Sequence, residues 1–316
     1  MERIASEFLR ALRGKRSQLA FARRLGYRSN PITDWERGAR FPTAVEALRA
    51  AARANVDVVA AFRRFAPDVP LELQGRELAL DRWLVALRGA ASVNDIAARS
   101  QCSRYSVSRW LRGLAKPRLP DFMRLVDGIS GRLAHWVAAL VPIEQVPSLA
   151  ERYRAAEAAR LLAFELPWTE AVLRVIETQT YRALSGHQSG WIARLLGMTE
   201  EEERRCLQAL TDVGALALEE SRYVVRGPTT VDTQGGSEAL HRLKQHWCRV
   251  ASARLCAPAE QELFAYNVVS VSRADLDRIN EKLRMTFREI RSIVAASKPE
   301  QVAAVVNLQL LVFEPK

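Results

Sequence analysis

The chain has 316 residues, of which 48% are hydrophobic, and a formal net charge of +11. A chain of this length has enough residues for roughly two to four small domains with cores of their own. The most apolar runs, such as 302–313, are too short to span a bilayer, and the N-terminus lacks the apolar core of a signal peptide. Four cysteines in so long a chain do not make a disulfide framework, so we expect a cytoplasmic protein.

The positive charge is confined to the first half of the chain. Residues 1–140 contain 25 Lys and Arg against 13 Asp and Glu, whereas residues 141–316 contain 22 against 23. This distribution is typical of a protein in which one part neutralises phosphates and the other has a different task. A basic face that is merely solvated would have the same composition, so charge alone leaves both interpretations open.

A pattern in the basic half recurs at a fixed offset of 75 residues, with no gap between the copies. One unit of roughly 58 residues, 8–65, therefore occurs again at 83–140. The most similar segments are FLRALRG (8–14) with WLVALRG (83–89), WERG (35–38) with WLRG (110–113), and Pro42 with Pro117.

The first unit contains five short helical patterns separated by turn signals. Apolar residues at helical spacing predict helices, and Ser17 and the capping box at 43–46 mark where two of them begin. The predicted helices are 4–12, one from Ser17 to Gly26, one from Pro31 to Gly38, one starting at Thr43, and 56–65.

The second and third of these helices carry a family resemblance. The segment Gln18–Gly26, followed without insertion by Ile32, the WERG run and Pro42, resembles the lambda-repressor/Cro-type helix-turn-helix family. The resemblance implies a small core that sets the angle between the two helices, and glycines at Gly26 and Gly38 that supply turn conformations. The implied core residues are Phe21, Ala22, Leu25, Ile32 and Trp35.

The same resemblance implies which side chains would face DNA. Gln18, at the start of the second helix, would donate to phosphate, and Asn30 could pair bidentately with adenine. Asp34 could only accept, so it would lower non-specific affinity while adding selectivity. The implied DNA-binding residues of this unit are Gln18, Arg28, Ser29, Asn30, Thr33, Asp34, Arg37 and Arg40.

The second unit resembles the same family less closely. Val93 stands where the first unit has Gln18, Ser100-Gln101 replaces Leu-Gly, and Leu111 replaces the glutamate after the tryptophan. This copy could therefore read DNA, with arginines that favour guanine. Alternatively, it could only support the first copy or form a dimer face. Its candidate DNA-binding residues are Ser103, Arg104, Tyr105, Ser108, Arg109, Arg112 and Lys116. The linker 66–75, which contains two prolines, is short and partly stiff, so both units are expected on one duplex.

The neutral half begins after Pro147 with helices predicted at 149–166 and 168–184. A third helix pair follows, 190–196 and a helix opened by the capping box at Thr199, and strands at 216–218 and 223–225 would form a wing. The four glutamates Glu200–Glu203 at the start of the would-be reading helix argue against groove reading, so we expect a packing or dimer role.

The C-terminal segment is predicted to be α/β. After a loop at Gly227–Ser237, strands at 263–271 and 302–313 flank a long helix that begins after Ser272 and ends near Ile293. The YNVVSVS motif at 266–272 and the terminal VNLQL strand resemble an uncharacterised bacterial family described as transcriptional regulators. That resemblance covers about 150–314 and implies regulation without a ligand.

Catalytic and metal-binding motifs are missing from the sequence. No Walker loop, dinucleotide-binding glycine motif, nucleophile elbow or HExxH helix occurs, so we expect no enzyme. The spacing of His241, His246, Cys248 and Cys256 fits no zinc-site pattern, and we expect neither a metal nor a cofactor.

Taken together, the patterns predict a mainly α protein with two tandem five-helix helix-turn-helix domains, a winged-helix domain and a small C-terminal α/β segment. The expected domains are 1–66, 76–141, 148–226 and 237–316, the last for dimerisation or sensing.

The expected function is sequence-specific, double-stranded DNA binding by a transcriptional regulator of the bacterial cytoplasm. The expected form is a homodimer without membrane contact, open to a small-molecule or protein effector. The alternative is an antitoxin-like or defence-associated adaptor, whose main partner is a protein and whose DNA binding is autoregulatory.

Overall fold

The structure is a computed structural model that describes residues 1–74, 77–226 and 238–313. This part of the chain is mainly α-helical, as the sequence predicts, and it contains two short antiparallel strand pairs. The loop predicted at Gly227–Ser237 lies outside the described residues. Where the chain is described, no helix combines the length and apolar composition that a membrane span requires.

The described residues divide into two compact units. Unit 1 comprises those of Met1–Arg154 and Phe287–Ala296, and unit 2 comprises those of Ala155–Thr286 and Ser297–Lys316. Both sequence repeats lie within unit 1. The two repeats contribute to one hydrophobic core. The four predicted domains stay predictions.

Each repeat folds into five helices. The bounds in the first repeat are α1 (Glu2–Arg13), α2 (Gln18–Arg24), α3 (Ile32–Arg37), α4 (Ala44–Arg53) and α5 (Val58–Phe65). Those in the second are α6 (Leu80–Arg88), α7 (Val93–Ser100), α8 (Arg104–Leu111), α9 (Leu119–Ser130) and α10 (Leu133–Ala138). Two short antiparallel strands, β1 (Leu73–Gln74) and β2 (Glu77–Leu78), were not predicted; β1 lies in the predicted linker 66–75 and β2 just after it.

Local capping chemistry places the starts of these helices. The Ser17 hydroxyl accepts a hydrogen bond from the Ala20 amide, so the start of α2 is confirmed. The capping box predicted at Thr43 is present and opens α4, and a capping box at Ser92 opens α7. The predicted start of α5 at Val56 was two residues early, because Asp57 caps that helix by accepting from the Ala60 amide.

An aromatic cluster joins the two repeats. Phe8 stacks on Trp136 with ring centroids 5.8 Å apart, and Phe62 lies 4.6 Å from Trp83. Phe122 contacts both tryptophan rings, at 6.3 Å from Trp83 and 5.5 Å from Trp136. All five side chains are nearly inaccessible to solvent, so the repeats are held against each other by dense packing.

The remaining helices lead through the second half of the chain. Their bounds are a 3-10 helix at Ile143–Gln145, α11 (Pro147–Glu165), α12 (Trp168–Ile176), α13 (Gln179–Arg182), α14 (Trp191–Leu196), α15 (Glu200–Asp212), α16 (Glu238–Leu255) and α17 (Arg273–Ala296). The single helix predicted over 168–184 was wrong, because Thr178 ends one helix and caps the next. Its hydroxyl donates to the Val175 carbonyl and accepts from the Tyr181 amide.

The strand pair predicted in unit 2 is confirmed and is slightly longer than expected. Strands β3 (Leu216–Glu219) and β4 (Arg222–Val225) are antiparallel, with Leu216 opposite Val225. The turn residues Glu220 and Ser221 have φ values of 45° and 67°, which suit a two-residue hairpin turn.

The predicted C-terminal α/β segment was wrong for the described residues. The Ser272 cap is present, since its hydroxyl accepts from the Asp275 amide, and α17 follows it. Residues 263–271 and 302–313 form no strand. Their β-branched and alternating residues favour a strand only where one face of the strand is buried in a sheet. In the described chain both segments are largely exposed, and neither has a neighbouring strand to complete a ladder.

Candidate nucleic-acid interface

The turn between α2 and α3 is built by a small buried cluster. Phe21, Ala22, Ile32 and Trp35 are at most 4% exposed, as expected, whereas Leu25 is only partly buried. Tyr27 packs edge-on against Trp35 with ring centroids 5.6 Å apart, a contact that the sequence reading missed. Because these side chains come from both helices, they set the angle at which α3 is held.

Glycines at two turns have the expected left-handed conformation. Gly26 has φ of 86° after α2, and Gly38 has φ of 78° at the end of α3. In the second repeat Gln101 occupies the place of Gly26 and has φ of 55°. The two repeats therefore make the same turn with different residues. For Gln101 the left-handed backbone conformation costs energy, because its Cβ lies close to a carbonyl oxygen.

Three of the predicted DNA-binding residues form a hydrogen-bonded chain with one another. Asn30 Nδ2 donates to Thr33 Oγ1 over 3.0 Å, and Thr33 Oγ1 donates to Gln18 Oε1 over 2.9 Å. Gln18 Nε2 then donates to Glu36 Oε2 over 2.8 Å. This chain ties the start of α2 to the turn and to α3, so it holds the amide groups in place.

Glu36 anchors the chain from below the surface. Its side chain is 5% exposed, and its carboxylate accepts hydrogen bonds from Arg13 Nε over 2.5 Å and from Arg13 Nη2 over 3.2 Å. Arg10 also donates to the Glu36 carbonyl oxygen. No role was predicted for Glu36 or Arg13 from the sequence. An indication was available, because an acidic residue directly beside a core tryptophan needs a buried partner to neutralise it.

The predicted bidentate contact of Asn30 with adenine does not fit the side chain as it lies. Asn30 Nδ2 is engaged with Thr33, and Asn30 Oδ1 is buried with no hydrogen-bond partner among the described residues. A bidentate pair needs both amide atoms at the groove, so the Asn30 side chain would have to rotate. As it stands, Asn30 orients Thr33.

The other predicted residues of the first repeat lie on the surface. Arg28 and Ser29 are exposed in the turn, Asp34 and Arg37 are exposed on α3, and Arg40 is exposed in the loop after it. The surface therefore presents three guanidinium groups and one carboxylate.

The corresponding surface of the second repeat is formed by α8. Ser103 caps this helix by accepting from the Ser106 amide, and Arg104 and Tyr105 are exposed in its first turn. Arg109 Nη1 donates to the Tyr105 hydroxyl over 2.9 Å, and its guanidinium lies 5.5 Å from the tyrosine ring centroid. This contact holds the arginine against the tyrosine ring while leaving the ring 68% exposed.

The rest of the candidate set in this repeat surrounds the end of α8. Arg112, directly after the helix, donates to the Ser108 carbonyl oxygen over 3.3 Å and is otherwise exposed. Lys116 is exposed in the following loop, and Ser108 is half-buried. No acidic side chain occurs among the seven candidate residues here, so this surface is more uniformly positive than that of α3.

The polar chain of the first repeat is replaced by apolar contacts in the second. Val93 stands at the place of Gln18 and Leu111 at that of Glu36; Leu111 is 8% exposed, and Val93 packs against the shared core. Arg88, the counterpart of Arg13, has a buried Nε without a hydrogen-bond partner in the described part of the chain. Gln18 and Glu36 are therefore both replaced by apolar residues, whereas the arginine that pairs with Glu36 is retained as Arg88.

The third helix pair, α14 and α15, uses its glutamates within the protein. Glu203 is 2% exposed and accepts from the Ala193 amide over 2.6 Å, which caps the start of α14. Glu202 completes the capping box with Thr199, and Glu201 is paired with Arg204. Three of the four glutamates thus stabilise helix starts or neighbours, and the predicted packing role of this region stays a prediction.

A histidine lies beside the buried Glu203. His187 Nε2 is 3.4 Å from Glu203 Oε1, and His187 Nδ1 is 3.2 Å from the Tyr181 hydroxyl. Burial lowers the pKa of His187, and the neighbouring carboxylate opposes this only in part. Burial likewise raises the pKa of Tyr181.

The four candidate metal ligands of the C-terminal half have other neighbours. His246 packs against Trp168 and Trp247, and Cys248 Sγ accepts from Gln309 Nε2 over 3.2 Å. His241 and Cys256 are exposed. Within the described ranges, no group of three or more His, Cys, Asp or Glu side chains is placed to hold a metal ion.

Comparison with known proteins reaches only the second half of the chain. A family model described as a domain of unknown function, DUF4423, matches residues 166–314, which is less than half of the chain. No curated protein and no solved structure matches the chain. Both repeats lie outside the matched segment, so their function has to be inferred from their own geometry.

Proposed function

We propose that this protein is a sequence-specific, double-stranded DNA-binding transcriptional regulator that reads the major groove with α3 and α8. In this proposal each repeat is a helix-turn-helix domain of the lambda-repressor/Cro type, and α3 and α8 are the reading helices. The observation that carries it is the exposed polar surface that each of these short helices presents above a buried core, repeated at the same offset in a strongly basic half.

DNA recognition needs contacts to phosphates and contacts to bases, and the two surfaces have side chains suited to both. Exposed guanidinium groups at Arg37, Arg40 and Arg112 and the ammonium group of Lys116 suit phosphate oxygens. Arginine side chains such as Arg104 and Arg109 can donate to guanine, and Asp34 can accept from a cytosine amino group. Arginine held against an aromatic ring, as Arg109 is on Tyr105, is pre-oriented for such a contact.

Unit 2 receives a separate role in the proposal. We assign α14, α15 and the β3–β4 pair to a winged-helix domain that packs or dimerises, because Glu200–Glu203 would repel phosphate. The protein would act as a homodimer in the bacterial cytoplasm, with an effector site, if any, in this half.

The decisive experiment is selection of duplexes from a random-sequence library by the full-length protein, followed by affinity measurements against salt concentration. We expect enrichment of a defined sequence. The log–log slope should have a magnitude of about 5 or more if both repeats neutralise phosphates. Absence of enrichment, with copurification of a stable protein partner, would favour the adaptor instead.

A pair of triple variants tests whether unit 1 carries the binding. Replacing Arg104, Arg109 and Arg112 by alanine should reduce affinity by more than about tenfold, since each good base or phosphate contact contributes roughly 1–3 kcal/mol. The control removes the same charge from exposed arginines of unit 2, namely Arg194, Arg205 and Arg249. Equal losses in both triple variants would contradict the assignment.

A further inference from the structure

The two repeats are joined by a backbone bridge between equivalent positions. The Ala44 amide donates to the Pro117 carbonyl oxygen over 3.0 Å, and the Leu119 amide donates to the Pro42 carbonyl oxygen over 2.9 Å. Thr43 and Arg118 face each other in this antiparallel bridge. At the offset of 75, Ala44 corresponds to Leu119, and Pro42 to Pro117. The bridge is therefore reciprocal, as in an interface between two copies related by a two-fold axis.

Helix contacts on either side of the bridge follow the same rule. Helix α4 contacts α9, and α5 contacts α10; in each pair the partners are equivalent elements of the two repeats. Arg64, which follows the core residue Phe62 on α5, donates to the carbonyl oxygen of Ala139, the equivalent position in the second repeat. Helix α1 also contacts α9, an unlike pair whose counterpart would be α6 with α4, so the arrangement within unit 1 is a two-fold only approximately.

The bridge also lies close in sequence to both candidate reading helices. Pro42 is five residues beyond the end of α3, and Pro117 is six residues beyond the end of α8. Because Phe8, Phe62, Trp83, Phe122 and Trp136 pack across the same junction, the mutual orientation of the two repeats is fixed by a dense core and not by a linker.

We infer that a single chain is a built-in two-fold dimer of DNA readers, and that its target is an inverted repeat with two unlike halves. This inference rests on the proposed function. Two reading helices related by a two-fold read words that run in opposite directions on the duplex, about one helical turn apart. Equivalent candidate reading positions differ between the repeats. They are Ser29, Asn30, Thr33 and Asp34 in the first and Arg104, Tyr105, Ser108 and Arg109 in the second.

The unlike halves follow from the chemistry of these positions. The α8 half is expected to contain guanine, because Arg104 and Arg109 can each contact its O6 and N7 atoms. In the first repeat the corresponding positions hold Ser29, in the turn before α3, and Asp34, on α3. Neither side chain can make that contact, and Asp34 favours a cytosine amino group. The two half-sites of the target are consequently inverted relative to each other but differ in base sequence.

Sequence selection with the intact protein tests the layout. We expect two different words in inverted orientation at one fixed spacing. The ratio should be one chain to one duplex, so that each protomer of a homodimer holds its own duplex. Insertion of about 5 base pairs between the words turns one half to the opposite face of the duplex and should reduce affinity by at least about tenfold. Insertion of about 10 base pairs should do the same, because the rigid junction cannot lengthen.

A graft of reading residues tests the asymmetry. The variant Arg104→Ser, Tyr105→Asn, Ser108→Thr and Arg109→Asp gives α8 the reading residues of α3 and leaves the buried chain below α3 untouched. The α8 half of its selected site should lose its preference for guanine, because both arginines are removed. The α3 word itself is the internal control, since its retention shows that the variant is folded.

The outcomes separate this inference from the proposed function. Words in direct orientation, tolerance of both insertions, or two chains per duplex would overturn the built-in dimer while leaving DNA reading intact. A graft that changes the α3 word would overturn the assignment of α3 and α8 to separate halves. Failure of the wild-type protein to enrich any sequence would instead remove the proposed function and this inference together.

Discussion

Arg13 Nε donates to Glu36 Oε1 over 2.5 Å, and this pair joins the end of α1 to α3 beneath the candidate reading surface. Glu36 also accepts from Gln18, so a single buried carboxylate on α3 binds groups from α1 and α2. The second repeat achieves the same packing with Val93 and Leu111.

This substitution between repeats predicts a coupled pair of variants. Glu36→Leu alone should lower the free energy of unfolding by about 3 kcal/mol, because it leaves the Arg13 guanidinium partly buried without its carboxylate. Adding Gln18→Val should recover about 1 kcal/mol, since the two apolar side chains can then pack as in the second repeat. Urea unfolding of the full chain measures both, and simple additivity of the two single variants would contradict the coupling.

The left-handed turn after α7 predicts a stabilising variant. Gln101 is exposed with φ of 55°, so Gln101→Gly should raise the free energy of unfolding by about 1 kcal/mol through relief of the Cβ–carbonyl contact. The matched change in the first repeat, Gly26→Ala, should lower it by about the same amount. The added Cβ would lie 3.4 Å from Arg53 Nη1, an ordinary van der Waals distance, so backbone strain dominates. Thermal unfolding that moves in the same direction for both would contradict this account.

The exposed carboxylate on α3 predicts a loss of selectivity. Asp34→Asn should tighten binding to non-specific duplex by about fivefold at low salt, because one repulsion of about 1 kcal/mol with phosphate is removed. Affinity for the selected site should rise less, so the ratio of specific to non-specific affinity falls. Glu201→Gln removes an exposed carboxylate of unit 2 and should leave both affinities unchanged.

Phosphate contact by the second repeat predicts a change in salt dependence. Arg112→Ala and Lys116→Ala should each reduce the magnitude of the log–log salt slope by about 0.9, with a uniform loss of affinity across sequences. Fluorescence anisotropy over a range of salt concentrations gives the slope. Arg249→Ala is the matched control, and a slope unaltered in all three variants would show that this repeat does not touch the backbone.

The buried histidine of unit 2 predicts a pH dependence of stability. Since burial lowers the pKa of His187, the unfolded chain binds more protons than the folded chain just below the ordinary histidine value of about 6.5. The free energy of unfolding should therefore fall as the pH falls through this window. His246, whose pKa burial also lowers, acts in the same direction.

Substitution of the same residue tests the origin of that slope. His187→Gln should make the free energy of unfolding less dependent on pH between about 6.5 and 5, because one of the two groups no longer takes up a proton on unfolding. The exposed His241→Gln should leave the dependence as in the wild type. An unchanged slope in His187→Gln would show that its protonation is not linked to folding.

Most local features of unit 1 could be predicted from the sequence. Caps at Ser17, Thr43 and Ser92 act within three residues of their own position, so a short window of sequence contains all the interacting groups. Gly26 and Gly38 are likewise predictable, because a left-handed turn penalises almost every other residue.

The C-terminal strands could not be predicted in the same way. Residues 263–271 and 302–313 have the composition of strands, but a strand exists only when a second one completes its hydrogen bonds. In the described chain both segments lack such a neighbour.

The sequence by itself determined the 75-residue repeat, the helix starts and the basic half, because these depend on residue type and spacing. Only the tertiary structure decided what Glu36 does and how the repeats meet. Arg13 and Glu36 are 23 residues apart, and the amide of Ala44 meets the carbonyl of Pro117 across 73 residues. Contacts at such separations depend on the packing of the whole core, which no local pattern contains.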